Sequence, residues 1–101
     1  MKLPKEGRGP ERPGLRLAMG QIMATPAALR ALTETDIRTG LARHRQGDWG
    51  ECCPEDAQEN DRSLTTGRRL LSVYRSATGI TFWIITEADR SVTTVLLPED
   101  Y

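Results

Sequence analysis

The stretch RRLLSVYRSATGITFWIITEADRSVTTVLLPEDY, residues 68–101, decides the fold of this 101-residue chain. Most of the β-branched and aromatic residues of the chain lie in it, grouped in three runs that short turn-forming segments separate. The pattern predicts three strands, at Leu70–Arg75, Ile80–Thr86 and Val92–Leu97. Three successive strands with short connections are joined most simply as an antiparallel meander, so we expect such a sheet to anchor the fold.

The middle run of the three is apolar on both faces. Ile80, Phe82 and Ile84 alternate with Trp83 and Ile85. A strand that is buried on both faces usually lies in the centre of a sheet. If helices cover one face only, the other apolar face lacks predicted cover, and a partner protein or a second copy of the chain would suit it.

The segment before the meander predicts one strand and two to three short helices. Leu15–Thr25 begins with alternating apolar residues, which favours a strand that adds to a sheet edge. Capping residues and prolines then predict three helices: Pro26–Leu32, Glu34–Arg45 and Pro54–Thr66, the last of which ends at Gly67. Together with the meander, these elements predict an α+β fold.

The chain predicts one folded domain behind a tail. Met1–Gly14 is rich in proline, glycine and charged residues, and such a segment buries too little apolar surface to offset the entropy lost on ordering. We therefore expect residues 1–14 to form a flexible tail and residues 15–101 to form a single α+β domain. A chain of this length has room for one hydrophobic core.

Composition narrows the functional classes. The 14 basic and 14 acidic residues give zero formal net charge, which argues against a strongly basic nucleic-acid-binding protein without excluding contact with nucleic acid. No run of residues reaches the length and apolar character of a membrane span. The two cysteines, Cys52 and Cys53, are adjacent and bridge each other only with strain, so we expect reduced thiols and a cytoplasmic protein.

Five residues are candidates for catalysis. His44, the only histidine, lies near Asp48, and an imidazole beside a carboxylate can act as an acid or a base near neutral pH. Glu87, Asp89 and Arg90 cluster at the predicted turn between the last two strands. Each group also has a structural interpretation, because histidine is common at helix C-termini and acidic residues favour tight turns.

Metal and cofactor sites are not predicted. The cysteines, His44 and Asp48 have side chains that bind zinc, but their spacing differs from the paired pattern of zinc sites. No phosphate-binding loop or dinucleotide-binding motif occurs in the sequence.

Three aromatic residues are candidates for an interaction surface: Trp49, Tyr74 and Trp83. Trp49 lies in the predicted GDWG turn, and the other two lie on predicted strands. Aromatic residues on an open sheet face can contact a protein partner or stack on bases. The alternative is that these rings pack in the core.

Several separated motifs resemble a family of small bacterial proteins found on plasmids and integrative elements. They are GQIMATPAALRAL (Gly20–Leu32), ARHRQGDWG (Ala42–Gly50), RRLLSVY (Arg68–Tyr74) and FWIITEADRSVTTVLLPEDY (Phe82–Tyr101). The resemblance covers about Leu15 to Tyr101. It implies a bacterial, cytosolic protein associated with a mobile element, and it implies no particular reaction.

Three hypotheses about function follow. The leading one is an accessory protein of a bacterial mobile element that acts by protein–protein interaction, with a protein partner or as a homodimer. The second is a small ribonuclease or toxin with a barnase-like or RelE-like plan, by analogy of fold alone. The third is an inhibitor of a host defence nuclease complex, whose acidic segment Glu51–Asp61 would mimic a phosphate backbone.

Overall fold

The computed structural model describes residues 15–101, so the predicted tail at residues 1–14 lies outside the described residues. In chain order the elements are β1 (Gln21–Ala24), α1 (Pro26–Ala31), α2 (Glu34–Arg45), α3 (Pro54–Thr66), β2 (Leu70–Arg75), β3 (Thr81–Thr86), β4 (Val92–Leu96) and a short 3₁₀ helix (Pro98–Asp100). The α+β class is confirmed, and the bounds of α2, α3 and β2 are those predicted.

Local capping fixes the ends of the helices. The Thr25 hydroxyl accepts a hydrogen bond from the Ala28 amide at 3.1 Å and starts α1. A reciprocal capping box between Thr33 and Asp36 starts α2, with both bonds at 3.0 Å. At the other end of the helical region, α3 ends at Gly67, whose φ of 77° is the left-handed conformation that glycine adopts without penalty.

The sheet has four strands in the order β1-β4-β3-β2. The predicted meander is present, because β3 pairs antiparallel with both β2 and β4. It is not the whole sheet, since β1 joins the far side of β4 in parallel. The central position predicted for the strand around Phe82 and Ile84 is confirmed.

The N-terminal strand is shorter than predicted. Leu15–Gly20 is not a strand, because the Leu17 amide bonds to the Arg45 carbonyl at the end of α2 rather than to β4. Gly20 then turns the chain with φ 63°, and a Cβ there would lie 2.2 Å from the Ser91 carbonyl oxygen. The strand therefore begins only at Gln21, once the chain has passed this close contact.

Helices α1 and α2 cover one face of the sheet. Ala28 and Leu32 of the α1 region pack with inward side chains of β2, β3 and β4, namely Tyr74, Phe82, Ile84 and Val95, and with Leu97, which follows β4. A second, smaller cluster joins Leu17, Trp49 and Leu70, and α3 contributes Ala57 and Leu64 to it. Helix α3 therefore lies beside β2 rather than over the centre of the sheet.

The face of the sheet opposite α1 and α2 is more buried than the alternation of apolar residues along β3 suggested. Ile85 and Leu96 lie on it, yet they are only 4% and 6% exposed. The C-terminal ring of Tyr101 packs edge-on against Trp83, with centroids 5.6 Å apart, and the Arg69 guanidinium donates to the Tyr101 hydroxyl. The expectation that this face lacks cover is thus wrong for its centre.

Candidate functional site

His44, near the C-terminal end of α2, is fully buried against β2 and β3. Its Nδ1 lies 2.6 Å from the Ser72 hydroxyl of β2, and its Nε2 lies 2.8 Å from the Thr86 hydroxyl of β3. The Thr86 hydroxyl lies 2.7 Å from that of Thr93, which donates to the Met19 carbonyl at 2.7 Å. The ring therefore belongs to a continuous chain of buried hydrogen bonds.

The single hydrogen on each hydroxyl fixes the tautomer of this ring. The Thr93 hydroxyl donates its one hydrogen to the Met19 carbonyl, so it accepts the hydrogen bond from the Thr86 hydroxyl. Thr86 in turn accepts from Nε2–H of His44, which leaves Nδ1 to accept from Ser72. The imidazole is neutral, with the proton on Nε2.

Burial, the larger cause, and the nearby positive charge of Arg90 together lower the pKa of His44 from 6.5 to about 4. A ring with no exposed surface and both nitrogens engaged cannot exchange a proton with a substrate. In this arrangement His44 links α2 to β2 and β3, and neither of its nitrogens is left for Asp48.

Asp48 serves the turn that follows α2. Its carboxylate accepts from the Arg43 guanidinium at 2.8 and 3.2 Å, and from the Gly50 amide at 3.1 Å. The hydrogen bond to this carboxylate raises the pKa of Arg43 above its ordinary value. The pair holds the GDWG turn against the end of the helix.

The acidic and basic residues of the last hairpin stabilise its turn. Asp89 accepts from the hydroxyl and the amide of Ser91, and these bonds lower the pKa of its carboxyl group. Arg90, with φ 63°, donates to the carbonyls of Ser63 at 2.9 Å and Arg68 at 2.7 Å. Glu87 contributes its backbone carbonyl as a further acceptor for Arg90. Neither this turn nor Asp48 forms a hydrogen bond with the ring of His44.

Two of the three candidate interaction aromatics are core residues. Trp49 is 2% exposed and donates from Nε1 to the Asp61 carboxylate at 2.9 Å. Tyr74 is 1% exposed and donates to the Asp48 carbonyl at 2.6 Å. Only Trp83 keeps a partly exposed side chain, so the predicted surface narrows to this residue and its neighbour Tyr101.

The outer edge of β2 is sealed by the chain itself. The Val73 amide donates to the Trp49 carbonyl at 3.1 Å, and the Glu51 amide donates to the Val73 carbonyl at 2.7 Å. Further along the same edge, the buried side-chain amide of Asn60 donates to the Leu71 carbonyl at 2.7 Å and accepts from its N–H at 3.0 Å. The side chain of Asn60 thus takes the place of a neighbouring strand.

The outer edge of β1 has no such cover within residues 15–101, where β4 is its only paired strand. The amides of Gln21 and Thr25 donate to Ser91 and Val95 on the β4 side. Because alternate residues of a strand face opposite neighbours, the backbone N–H and C=O groups of Ile22 and Ala24 point outward.

Apolar side chains accompany these outward backbone groups. Ile22 is 43% exposed and Met23 is 47% exposed, and no residue of β1 is charged. Leu29 of α1, a few residues further on, is 61% exposed. The sequence analysis did not predict this site. The available signal was the QIMA segment, which has no charged residue and no proline, because exposed edge strands usually carry lysine or proline that prevents further pairing.

Residues 15–101 contain no cluster of three or more histidine, cysteine or acidic side chains arranged to hold a metal ion. Burial raises the pKa of the Cys52 thiol to about 11, and its Sγ donates to the Leu71 carbonyl. In the same part of the chain, none of the helices has the length and apolar character needed to cross a bilayer.

Comparison with known proteins adds no relative. No protein-family model, curated protein or solved structure matches the chain. The resemblance to the mobile-element family therefore depends on the sequence motifs alone, and the arguments about function depend on the geometry of the described residues.

Proposed function

We propose that this chain is a small cytoplasmic accessory protein of a bacterial mobile element that acts by protein–protein interaction, and that its binding element is the outer edge of β1. The single observation that supports this proposal most is the contrast in protection. The β2 edge is covered by an amide side chain and a turn, whereas β1 presents backbone groups that have no partner strand among residues 15–101, beside exposed Ile22 and Met23.

Strand addition gives this edge a physical mode of binding. A partner strand that lies along β1 would accept from and donate to the outward groups of Ile22 and Ala24. Its side chains would cover Ile22 and Met23, which together with Leu29 make up three of the four large apolar residues that are exposed among residues 15–101. Main-chain bonds would give affinity, and the apolar side chains would give selectivity for an uncharged partner strand.

The ribonuclease hypothesis has less support. Its central residue would be His44, but that ring is buried with both nitrogens engaged by hydroxyl groups. Of its other residues, Asp89 accepts from Ser91 and Arg90 donates to the backbone carbonyl of Glu87, so these bonds hold a turn together. An acid or base must reach the proton that it transfers, and His44 does not reach the surface.

The inhibitor hypothesis also has less support, because much of the acidic segment is paired. Glu51 accepts from Arg75 at 3.2 Å, and Glu59 accepts from Arg62 at 2.9 Å. Asp61 accepts from the Trp49 indole at 2.9 Å. A mimic of a phosphate backbone presents a row of unpaired negative charges to its target, and here three of the acidic groups have partners in the chain.

A charge placed on β1 tests the proposal. An affinity-tagged chain is expressed in cells that carry its mobile element, as wild type, as Met23→Lys and as Gln58→Lys. Gln58 is exposed on α3, so the last variant makes the same charge change away from the edge. We expect a partner that wild type and Gln58→Lys retain and that Met23→Lys loses, because an edge lysine opposes strand pairing.

The partner identified by mass spectrometry is then purified and recombined with each variant. Amide hydrogen exchange at Ile22 and Ala24 should slow on binding, and the Kd of Met23→Lys should rise at least about tenfold. A set of bound proteins that is the same for all three chains would contradict the proposal.

A further inference from the structure

We propose that a second copy of this chain occupies the β1 edge, in an antiparallel pairing whose twofold axis passes through Met23. This inference rests on the proposed function, since both use the same edge, and it specifies the occupant. The pairing would join two four-stranded sheets into one continuous sheet of eight strands.

The number of open edges favours a second copy. Each described sheet has two outer strands, and β2 is already sealed by Asn60 and by the turn around Gly50. Among residues 15–101 each copy has one open edge, so a single pairing uses the open edges of both copies. The result is a closed, isologous dimer that leaves no described edge for a third chain. Dimers of this symmetry are the commonest assemblies among soluble proteins.

The outward backbone groups fix the register. In an antiparallel ladder, two residues that face each other as a hydrogen-bonded pair exchange two N–H···O bonds. Ile22 and Ala24 are the residues of β1 that point outward, so Ile22 of one copy pairs with Ala24 of the other, and the reverse. This register satisfies the N–H and C=O groups of both residues in both copies, and it places Met23 on the axis opposite its own copy.

The side chains fit the same register. Ile22 and Ala24 lie on one face of the strand, so a large side chain faces a small one at each of the two equivalent positions. Met23 faces Met23 on the other face, and methionine is a flexible apolar residue that adapts to such a contact. No pair of like charges opposes the approach, because β1 carries no charged residue.

A four-residue strand gives a small interface, so we expect a weak dimer. Analytical ultracentrifugation of the wild type should show a monomer–dimer equilibrium with a Kd on the order of 100 µM. Met23→Lys should be monomeric to about 1 mM, because it places two positive charges opposite each other on the axis. Gln58→Lys, which makes the same charge change on α3, should behave as the wild type does.

Opposite charges at the axis provide a test of the pairing itself. Met23→Glu should also be monomeric alone, for the same reason of like-charge repulsion. An equimolar mixture of Met23→Lys and Met23→Glu should form a heterodimer at least as tight as the wild-type dimer, because the two charges then attract. Circular dichroism of each variant verifies that it is folded before it is mixed.

A cysteine at the axis tests the register. Non-hydrogen-bonded antiparallel pairs have Cα atoms about 4.5 Å apart, within the range of a disulfide. We expect Met23→Cys to form a covalent dimer under mild oxidation. Gln21→Cys, on the same face, should not, because two copies of residue 21 would lie about 13 Å apart or more. The wild type, with its natural Cys52 and Cys53, gives the background of unrelated cross-links.

The outcomes separate this inference from the proposed function. A wild type that remains monomeric to about 1 mM, or a dimer that Met23→Lys leaves intact, would overturn the second-copy proposal. If the tagged chain still loses a different protein partner on Met23→Lys, the edge binds that partner and the proposed function stands. If neither self-association nor capture of a partner depends on Met23, both proposals fail.

Discussion

The two outer edges of the sheet differ in how the chain treats them. At β2, backbone groups that would otherwise be unpaired are bonded to the Asn60 amide and to the turn that contains Gly50. At β1, the outward groups of Ile22 and Ala24 have no neighbouring strand within residues 15–101. Proteins usually protect both edges, because an open edge recruits other strands. Within residues 15–101, the chain therefore covers the β2 edge with its own groups and leaves the β1 edge without such cover.

The largest loss of stability is expected at Gly50, where the chain that covers the β2 edge lies closest to the strand. A Cβ on Gly50 would lie 2.0 Å from the Val73 carbonyl oxygen, and the residue has a φ of 73°. Gly50→Ala must therefore displace the bridge to β2 as well as adopt a strained backbone. We expect a loss of about 4 kcal/mol in the free energy of unfolding, measured by urea denaturation.

Gly67 provides the control for that substitution. Its φ is 77°, similar to that of Gly50, but a Cβ there would meet no atom within 4 Å. Gly67→Ala should therefore lose only about 1 kcal/mol, the cost of the left-handed conformation. Equal losses for the two variants would mean that the close contact with Val73 contributes nothing to the seal.

A second effect concerns His44, which links α2 to β2 and β3. The pKa of His44 is about 4 in the folded chain and 6.5 when unperturbed, so the unfolded chain binds more protons between these values. Stability from this group is complete above about pH 6.5 and decreases as the pH falls to about 4. The decrease should be about 3 kcal/mol, as urea denaturation at a series of pH values would show.

His44→Gln isolates this contribution from that of the carboxyl groups, which also titrate in acid. The variant keeps a donor and an acceptor between Ser72 and Thr86 but has no group that titrates there. Its stability should vary less with pH than that of the wild type across this window. Parallel pH profiles for the two chains would show that the ring does not carry the effect.

A third effect tests whether the Asn60 amide truly replaces a strand. Asn60→Ala removes both bonds to the Leu71 backbone and leaves its N–H and C=O without those partners. We expect a loss of about 2 kcal/mol in the free energy of unfolding and faster amide exchange at Leu71. Gln58→Ala, at an exposed position of the same helix, should change stability by less than about 0.5 kcal/mol. Unchanged exchange at Leu71 would argue against the seal.

The smallest effect is expected at the open edge. Met23→Lys should change the stability of the dilute monomer by no more than about 0.5 kcal/mol, because the side chain is 47% exposed and contributes little to the core. Thermal unfolding at a few micromolar measures this change, and far higher concentrations measure association. A large loss of stability in the dilute monomer would show that Met23 supports the fold rather than a contact with another chain.

The elements that the sequence predicts well are those that depend on neighbouring residues. The capping box at Thr33 and Asp36 and the stop at Gly67 set the ends of α2 and α3, because their bonds lie within a few positions. The meander follows from short turns between strands of suitable composition. The parallel pairing of β1 with β4 depends on residues far apart in the chain, and no local pattern specifies it.

Buried polar residues account for the other features that the sequence did not predict. A lone histidine at a helix end suggests the surface, but His44 is buried because Ser72 and Thr86 supply its hydrogen bonds. The signal was present in the strands, where Ser72 and Thr86 occupy inward positions among apolar residues. Asn60 on a polar helix gives no such signal, since its role depends on where α3 lies against β2.

The long-range bonds at the N-terminal side have a consequence for synthesis. Thr93 reaches the Met19 carbonyl across 74 positions, and Thr25 reaches Asp100 across 75. A nascent chain leaves the ribosome N-terminus first, so β1 has no neighbouring strand until β4 has been made. Until then the backbone groups on both sides of the β1 segment are unpaired. Chaperones, or nascent chains on the same messenger RNA, would therefore contact this segment before β4 does.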